Sequence, residues 1–327
     1  MTKEIKQKYG KYVSNAFSML LPLLLLLLFI KEPRITSQSV LGSLKYCFST
    51  LIPSLFPLMI ASEIAIESGA LQKYALPLTS PLSRLFGVSQ SAVLPYLVAL
   101  IGGYSASVSS AVSLFKKGDI SKNDCESIIC PSSIPSLAFF ISLIGANVLK
   151  NALYGWILWM ISIISALILG TINHLINKGK SAQATTAQYS FRSTGIPPVP
   201  FSKILIGAIS HASNSILLIC ACVVFFSSAI SSAEAILLPI FNDEKMIKLL
   251  LGGFEITNGI SARSFIDALP LKAALCSATV GWSGLCVHFQ IMALCDEINL
   301  SFTKYFIYKA LQGAVNFILA YLIFSFV

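Results

Sequence analysis

Charged side chains are scarce in this sequence: Lys, Arg, Asp and Glu make up 11% of its 327 residues, while 55% are hydrophobic. A soluble domain carries about 25% charged residues. A core of this size cannot hide so much apolar surface from water, which excludes an ordinary soluble fold and makes lipid the solvent for much of the chain. Paired cysteines are lacking too. Cys47, Cys125, Cys130, Cys220, Cys222, Cys276, Cys286 and Cys295 form no CxxC spacing, and most lie inside apolar runs. A disulfide framework or a zinc site needs paired spacings with polar flanks, so these cysteines read as small buried apolar side chains. Enzyme motifs are missing as well. There is no HExxH, GxSxG or GxxxxGK[ST], and the three histidines have no acids at metal-ligand spacing. The sequence predicts no enzyme, no cofactor and no metal.

Basic residues outnumber acidic ones 23 to 14. They sit in the gaps between apolar runs rather than in a block interleaved with exposed aromatics, so no nucleic-acid partner is expected. That distribution fits positive charge retained in cytoplasmic loops. Runs at 16–30, 153–172 and 306–327 reach or approach the roughly 20 apolar residues of a spanning helix. Together these features predict an all-α polytopic membrane protein of the bacterial cell membrane, with the lipid bilayer as its first partner.

Residues 1–12 carry Lys3, Lys6, Lys8 and Lys11 against Glu4 alone, and a Leu-rich run follows without a small-x-small cleavage site. We read residues 1–40 as a basic segment and an uncleaved first span with its N-terminus inside. Further apolar segments fall at 43–68, 89–115, 125–149, 152–175, 203–230, 246–268, 271–295 and 303–327, with a short piece at 235–241. The polar stretch 177–202 is rich in Ser, Thr, Ala and Pro, carries Lys178, Lys180 and Arg192 without an acid, and predicts a mobile cytoplasmic linker.

The linker separates two halves, 41–176 and 203–327, with the same order of parts. Each has an apolar helix, two interruptions and a closing helix. In the first half the interruptions are Ile101-Gly102-Gly103-Tyr104-Ser105 and Cys130-Pro131-Ser132-Ser133-Ile134-Pro135-Ser136. In the second they are the stretch 252–259 and Val280-Gly281-Trp282-Ser283-Gly284. Breaks in corresponding places point to a transporter-type internal repeat. If every apolar segment crossed the bilayer, the basic N-terminus and the basic linker would face opposite sides. One re-entrant segment per half, with three crossings in each, restores agreement and makes the halves inverted repeats.

Broken backbone at membrane depth survives only where it faces protein or a water-filled cavity. A free helix N-terminus there suits an anionic group, and Ser105, Ser132 and Ser133 add hydroxyl donors. Gly253-Phe254-Glu255-Ile256-Thr257-Asn258-Gly259 places a carboxylate where a helix centre would cost about 2.5–3.5 kcal/mol unless protonated, paired or wet. It reads as part of a polar cavity for substrate, coupling ion or proton, or as a capped helix end at the interface. His288 is a proton relay or substrate donor on one reading and a satisfied interhelical partner on the other. Glu63 and Glu67, near Lys73 and Arg84, read as interfacial ion pairs, and so does Asp267 beside Arg263. His174 and His211 sit at segment ends and carry no role.

Gly103-Tyr104-Ser105, Ser113-Leu114-Phe115-Lys116-Lys117-Gly118, Phe254-Glu255-Ile256-Thr257-Asn258-Gly259 and Ser283-Gly284-Leu285-Cys286-Val287-His288-Phe289-Gln290 resemble the YlbJ-type sporulation integral membrane proteins. These are grouped with nucleoside-recognition or Gate-domain membrane proteins, and the resemblance covers about residues 40 to 325. The first half departs from it. Gly103-Tyr104-Ser105-Ala106-Ser107-Val108 stands where the family reads Gly-Tyr-Pro-x-Gly-Ala, and Pro131-Ser132-Ser133-Ile134-Pro135 where it reads Asn-x-Ser-Gly-Pro. The resemblance implies a role in endospore formation, with movement of dipicolinic acid across the outer forespore membrane as the family's proposed task.

The resulting expectation is a transporter of a small anionic solute. Glu255, Thr257, Asn258, Ser283, Gly284, His288 and Gln290 line one side of its site; Gly103, Tyr104, Ser105, Ser132 and Ser133 line the other. A proton or sodium ion would couple transport, and a second copy of the chain is a further partner. A nucleoside transporter and a non-transporting scaffold of the spore envelope are the alternatives.

Overall fold

A computed structural model of the chain describes residues 22–68, 70–177, 200–298 and 300–327. The basic N-terminal segment with Lys3, Lys6, Lys8 and Lys11, and the linker at 178–199, lie outside the described residues, as do the side chains of Glu67 and Lys73. The expectations about them are untouched. The described chain is helical, with no strand among the described residues.

Helix α1 (Pro22–Lys31) leads into α2 (Pro33–Tyr46), which passes through a π-helical turn at Cys47–Leu51 into α3 (Ile52–Glu67). The two arms bend by 50°, at a place where Pro53 and Pro57 remove backbone donors. Then follow α4 (Ala70–Phe86), α5 (Leu94–Lys116), α6 (Lys122–Ser132), a π-helical segment at Phe139–Val148 and α7 (Ala152–Asn177). The second half holds α8 (Phe201–Phe241), α9 (Glu244–Leu251), α10 (Ile256–Ser261), α11 (Leu269–Trp282), α12 (Gly284–Leu294) and α13 (Phe302–Phe324). Among the described residues four helices are long and apolar enough to cross a bilayer, or five if the bent α2–α3 pair is one span.

The faces of α7 show which solvent the chain is built for. Leu153, Trp156, Met160, Ile164, Ile168, Ile172 and Leu175 are all exposed. Their three- and four-residue spacing makes one apolar stripe along the helix. The opposite face buries Leu158, Ile161 and Ala166, but also Ser162 and Ser165. Helix α13 repeats this arrangement. Ile307, Leu311, Ile318 and Leu322 point outward, while Lys309, Gln312 and Asn316 are completely buried. An apolar exterior around a partly polar interior is the arrangement that lipid requires. The chain is a multi-pass, all-α membrane protein.

Small residues set the tightest packing. A Cβ added at Gly281 of α11 would meet the Cα of Gly313 on α13 at 2.7 Å, so only glycine lets these two backbones touch. Helices α2 and α8 are joined by hydroxyls, Thr36 Oγ1 to Ser232 Oγ at 2.8 Å and Ser39 Oγ to Ser231 Oγ at 3.0 Å. These serines explain a difference from the sequence reading. The segments at 203–230 and 235–241 form a single helix of 41 residues, because the Ser-Ser-Ala-Glu stretch between them remains helical and packs on α2. A second difference concerns Arg263. Its guanidinium is buried and donates to the Gly259 carbonyl, whereas Asp267 is exposed and forms no ion pair among the described residues. The guanidinium reaches the end of α10, four residues back, and meets a buried acceptor there. All eight cysteines are free, and six of them are buried.

Candidate functional site

The helices are interrupted where glycine, serine and proline cluster. In α5 the backbone leaves helical values at Gly103, with φ 79° and ψ −173°. A side chain there would be strained, and a Cβ would stand 2.7 Å from the backbone nitrogen of Ser136. The first break of this half therefore rests directly on the second, the non-helical stretch that follows α6. The second half is assembled by the same rule. Gly284 has φ 79°, and its Cβ would approach the Ile256 nitrogen at 3.1 Å. Leu285 N–H donates to the Gly253 carbonyl at 3.3 Å and Cys286 N–H to the Phe254 carbonyl at 2.9 Å. The first free donors of α12 thus meet the carbonyls left free after α9. Trp282 Nε1 clamps the same Gly253 carbonyl at 2.8 Å.

Glu255 begins α10. Its carboxylate accepts the Thr257 N–H at 2.9 Å, the Asn258 N–H at 2.8 Å and the Thr257 hydroxyl. Asp, Asn and Ser are the usual residues at such a position. Here the longer Glu reaches the same second and third amides of the helix, where its negative charge also opposes the positive helix end. The N-terminus that the sequence reading left open to an anion is occupied by the protein's own carboxylate. Next to it, Asn258 Nδ2 donates to Ser227 Oγ of α8 at 2.6 Å.

The breaks of both halves surround one cavity of about 50 Å³. Gly103, Tyr104 and Ser105 of α5 line it, with Pro135 and Ser136 from the second break, Glu255 and Thr257 at the head of α10, and Gln290 of α12. Leu51, Leu55, Met59, Ile219 and Val223 close it from the π-helical turn at Cys47–Leu51, α3 and α8. One hydrogen bond crosses between the halves there, from Tyr104 Oη to Gln290 Oε1 at 2.7 Å. The volume admits a few waters, each needing at least about 10–15 Å³. It is well below the roughly 300–1,000 Å³ of small-molecule sites, so as it stands it is too small for such a ligand.

Six of the expected site residues, Gly103, Tyr104, Ser105, Glu255, Thr257 and Gln290, line the cavity. The others support it or face elsewhere. Ser283 and Gly284 form the fourth break, where Ser283 Oγ donates back to the Val280 carbonyl at 3.0 Å. The Ser132 and Ser133 hydroxyls likewise turn back to the Ile128 and Ile129 carbonyls of their own helix. His288 is completely buried among aromatic rings. Ring centroids of Trp282, Tyr305 and Phe306 lie 4.6, 5.2 and 5.7 Å from it.

The polar face of α13 is absent from the sequence reading. Lys309 Nζ donates to the Ser133 carbonyl at 2.6 Å and to Gln312 Oε1 at 2.7 Å. Asn316 Nδ2 reaches the Ser277 carbonyl at 3.1 Å and Ser162 Oγ at 3.3 Å. The signal was present in the spacing, since three polar residues at i, i+3 and i+7 share one helix face.

Helices broken at mid-length and folded around an internal cavity define a class, the polytopic membrane proteins with discontinuous helices. This chain is similar to the sporulation integral membrane protein YlbJ of Bacillus subtilis (strain 168), with 23% identity over 314 residues, covering 87% of this chain and 76% of that protein. That likeness supports the YlbJ-type resemblance drawn from the motifs. No family model matches the chain, and no solved structure matches it.

Proposed function

We propose that this chain is a sporulation-associated membrane transporter of a small anionic solute, with dipicolinic acid as its cargo and the outer forespore membrane as its place of action. The similarity to a sporulation integral membrane protein supports the process. The transport reading rests on one observation: the backbone breaks of both halves converge on a single cavity. Passage requires these breaks to separate, because the closed cavity has no room for an aromatic dicarboxylate. The matching contacts between Gly103 and Ser136 and between Gly284 and Ile256 support two related repeats that move against each other.

The carboxylate of Glu255 sets a condition on this reading. Two negative charges 4 Å apart repel by about 4 kcal/mol at an effective dielectric constant of 20. Glu255 therefore takes a proton when a carboxylate of the cargo enters, and a proton accompanies the solute. A second reading is favoured by the mostly apolar lining and by the Tyr104–Gln290 pair, which suit a neutral ring such as a nucleobase. Purified protein in lipid vesicles separates the two. Dipicolinate uptake that uridine does not inhibit, and that Glu255→Gln reduces at least tenfold, supports the proposal; saturable uridine uptake without dipicolinate uptake supports the second. Spores carrying Glu255→Gln with Asn258→Ala should hold little dipicolinate. A normal content with the variant present at normal levels would refute transport and favour a scaffold of the spore envelope.

A further inference from the structure

A buried basic side chain without a counter-ion among the described residues lies on α13. Lys309 is 0% exposed in a helix apolar enough to cross a bilayer. Its two acceptors, the Ser133 carbonyl and Gln312 Oε1, are both neutral. No carboxylate pairs with it among the described residues. The titratable groups that feel its charge are the Cys130 thiol on α6 and the His288 imidazole on α12. Neither supplies a negative charge at neutral pH in its ordinary form. A cation inside a membrane helix is costly unless it is paired or used, and Lys309 lies within a candidate span with only neutral acceptors beside it.

The use is visible in what it touches. Ser133 is the C-cap of α6, the residue at which that helix breaks. The last carbonyls of a helix carry about half a negative charge, and in transporters built from broken helices such ends hold the coupling sodium ion or proton. Here the Lys309 amine, tethered to its own helix, stands on that end, 2.6 Å from the carbonyl oxygen. We infer that Lys309 is a built-in substitute for a coupling cation: its ammonium occupies the carbonyl end at which an alkali-metal ion would otherwise bind, so the protein takes up no sodium or potassium there. The word coupling rests on the transport reading; the occupation of the helix end does not.

The position fits a charge that controls passage. Cys130 and Tyr305, the latter one turn before Lys309 on α13, line a second cavity of about 510 Å³ between α6, α7 and α13. Pro135 and Ser136 line the small closed cavity. The stretch that carries Ser133 lies between them along the chain, and Lys309 ties it to the second half. A diffusible ion would release this stretch whenever it left, whereas a tethered one keeps it held.

Thermal unfolding of the purified full-length protein in detergent tests the inference, with sodium, potassium or choline chloride at equal ionic strength. The three salts are expected to give the same midpoint. A sodium- or potassium-specific rise of about 5 °C or more, the size expected from saturating a bound ion, overturns it. Lys309→Ala vacates the helix end, and its lowered midpoint should recover in part with propylammonium or sodium but not with choline. Lys309→Ser serves if the alanine protein does not accumulate. Recovery with neither cation overturns the inference even if the wild-type salts agree. Sodium-independent dipicolinate uptake in vesicles adds support, and sodium-dependent uptake refutes it. Absence of any uptake would sink the transport reading alone, because the unfolding measurements decide the occupation of the helix end by themselves.

Discussion

At the break after α6, a helix ends with its carbonyls free, and the group that closes it comes from 176 residues away. At the break before α10, a helix begins with its amides free, and the group that closes it is its own first residue, Glu255. The first is closed by a cation at a negative end and the second by an anion at a positive end, so each obeys the same dipole rule with opposite sign. The difference lies in range. The α10 cap forms with its helix, whereas the α6 cap exists only once the second half has packed on the first. The two breaks should therefore respond differently to injury.

The largest effect is expected at the self-contained cap. Glu255→Ala strands two amides and a hydroxyl in a buried site and should lower stability by about 3 kcal/mol. Glu255→Asp, a good capping residue in its own right, should recover most of that loss in a denaturation series. An equal loss for both would show that the negative charge position, not the cap, matters. The next largest effect distinguishes the crossing glycines. Gly103→Ala should cost about 2 kcal/mol or more, from left-handed backbone strain and the approach to Ser136. Gly284→Ala should cost less, because its nearest neighbour stands at 3.1 Å rather than 2.7 Å. The reverse order in thermal midpoints would break the comparison of the two crossings. Tyr104→Phe removes the bond to Gln290 between the halves and should cost about 1 kcal/mol, with a lower barrier to cavity opening measured by the labelling rate of Cys286.

The smallest effect lies outside the breaks. Lys248 pairs with Glu244 and, at 3.7 Å, with Glu234. The adjoining carboxylate of Glu244 holds its amine above the ordinary lysine value. Stability from a raised lysine is complete below the ordinary value and fades only as pH rises through the raised one. Midpoints of wild type and Lys248→Gln should therefore run parallel from about pH 6 to about pH 9. A divergence within that window would show that this exposed pair bears on the α9–α10 break.

The breaks themselves were legible in the sequence because they are made by local chemistry. Gly103 and Gly284 stand where the backbone needs positive φ, and Pro135 ends a stretch that cannot continue a helix. The closing groups were harder to read. Glu255 was visible as an anomaly, yet its role as a cap was hidden because glutamate seldom serves there. Lys309, Gln312 and Asn316 were absorbed into an apolar run of otherwise ordinary composition. His288 was grouped with the cavity by its nearness in sequence, but helix phase decided otherwise. At about 100° per residue, Cys286, Val287 and Gln290 fall on one side of α12, which is the cavity side, and His288 on the other. Composition shows how much polar chemistry a membrane helix carries; phase shows where it points, and phase depends on partners that a single helix does not reveal.

Helix α8 extends for 41 residues, about 60 Å at 1.5 Å per residue, roughly twice the hydrocarbon thickness of a bilayer. Ile219 and Val223, near its middle, form part of the cavity wall, and Asn258 grips it at Ser227. Its middle thus lies at the cavity, with an arm of similar length on either side. A tilt of about 10° at Val223 would sweep either end through about 5 Å, since each lies roughly 30 Å away at 1.5 Å per residue. A small change of angle at the cavity wall is therefore a large change of position at the helix ends.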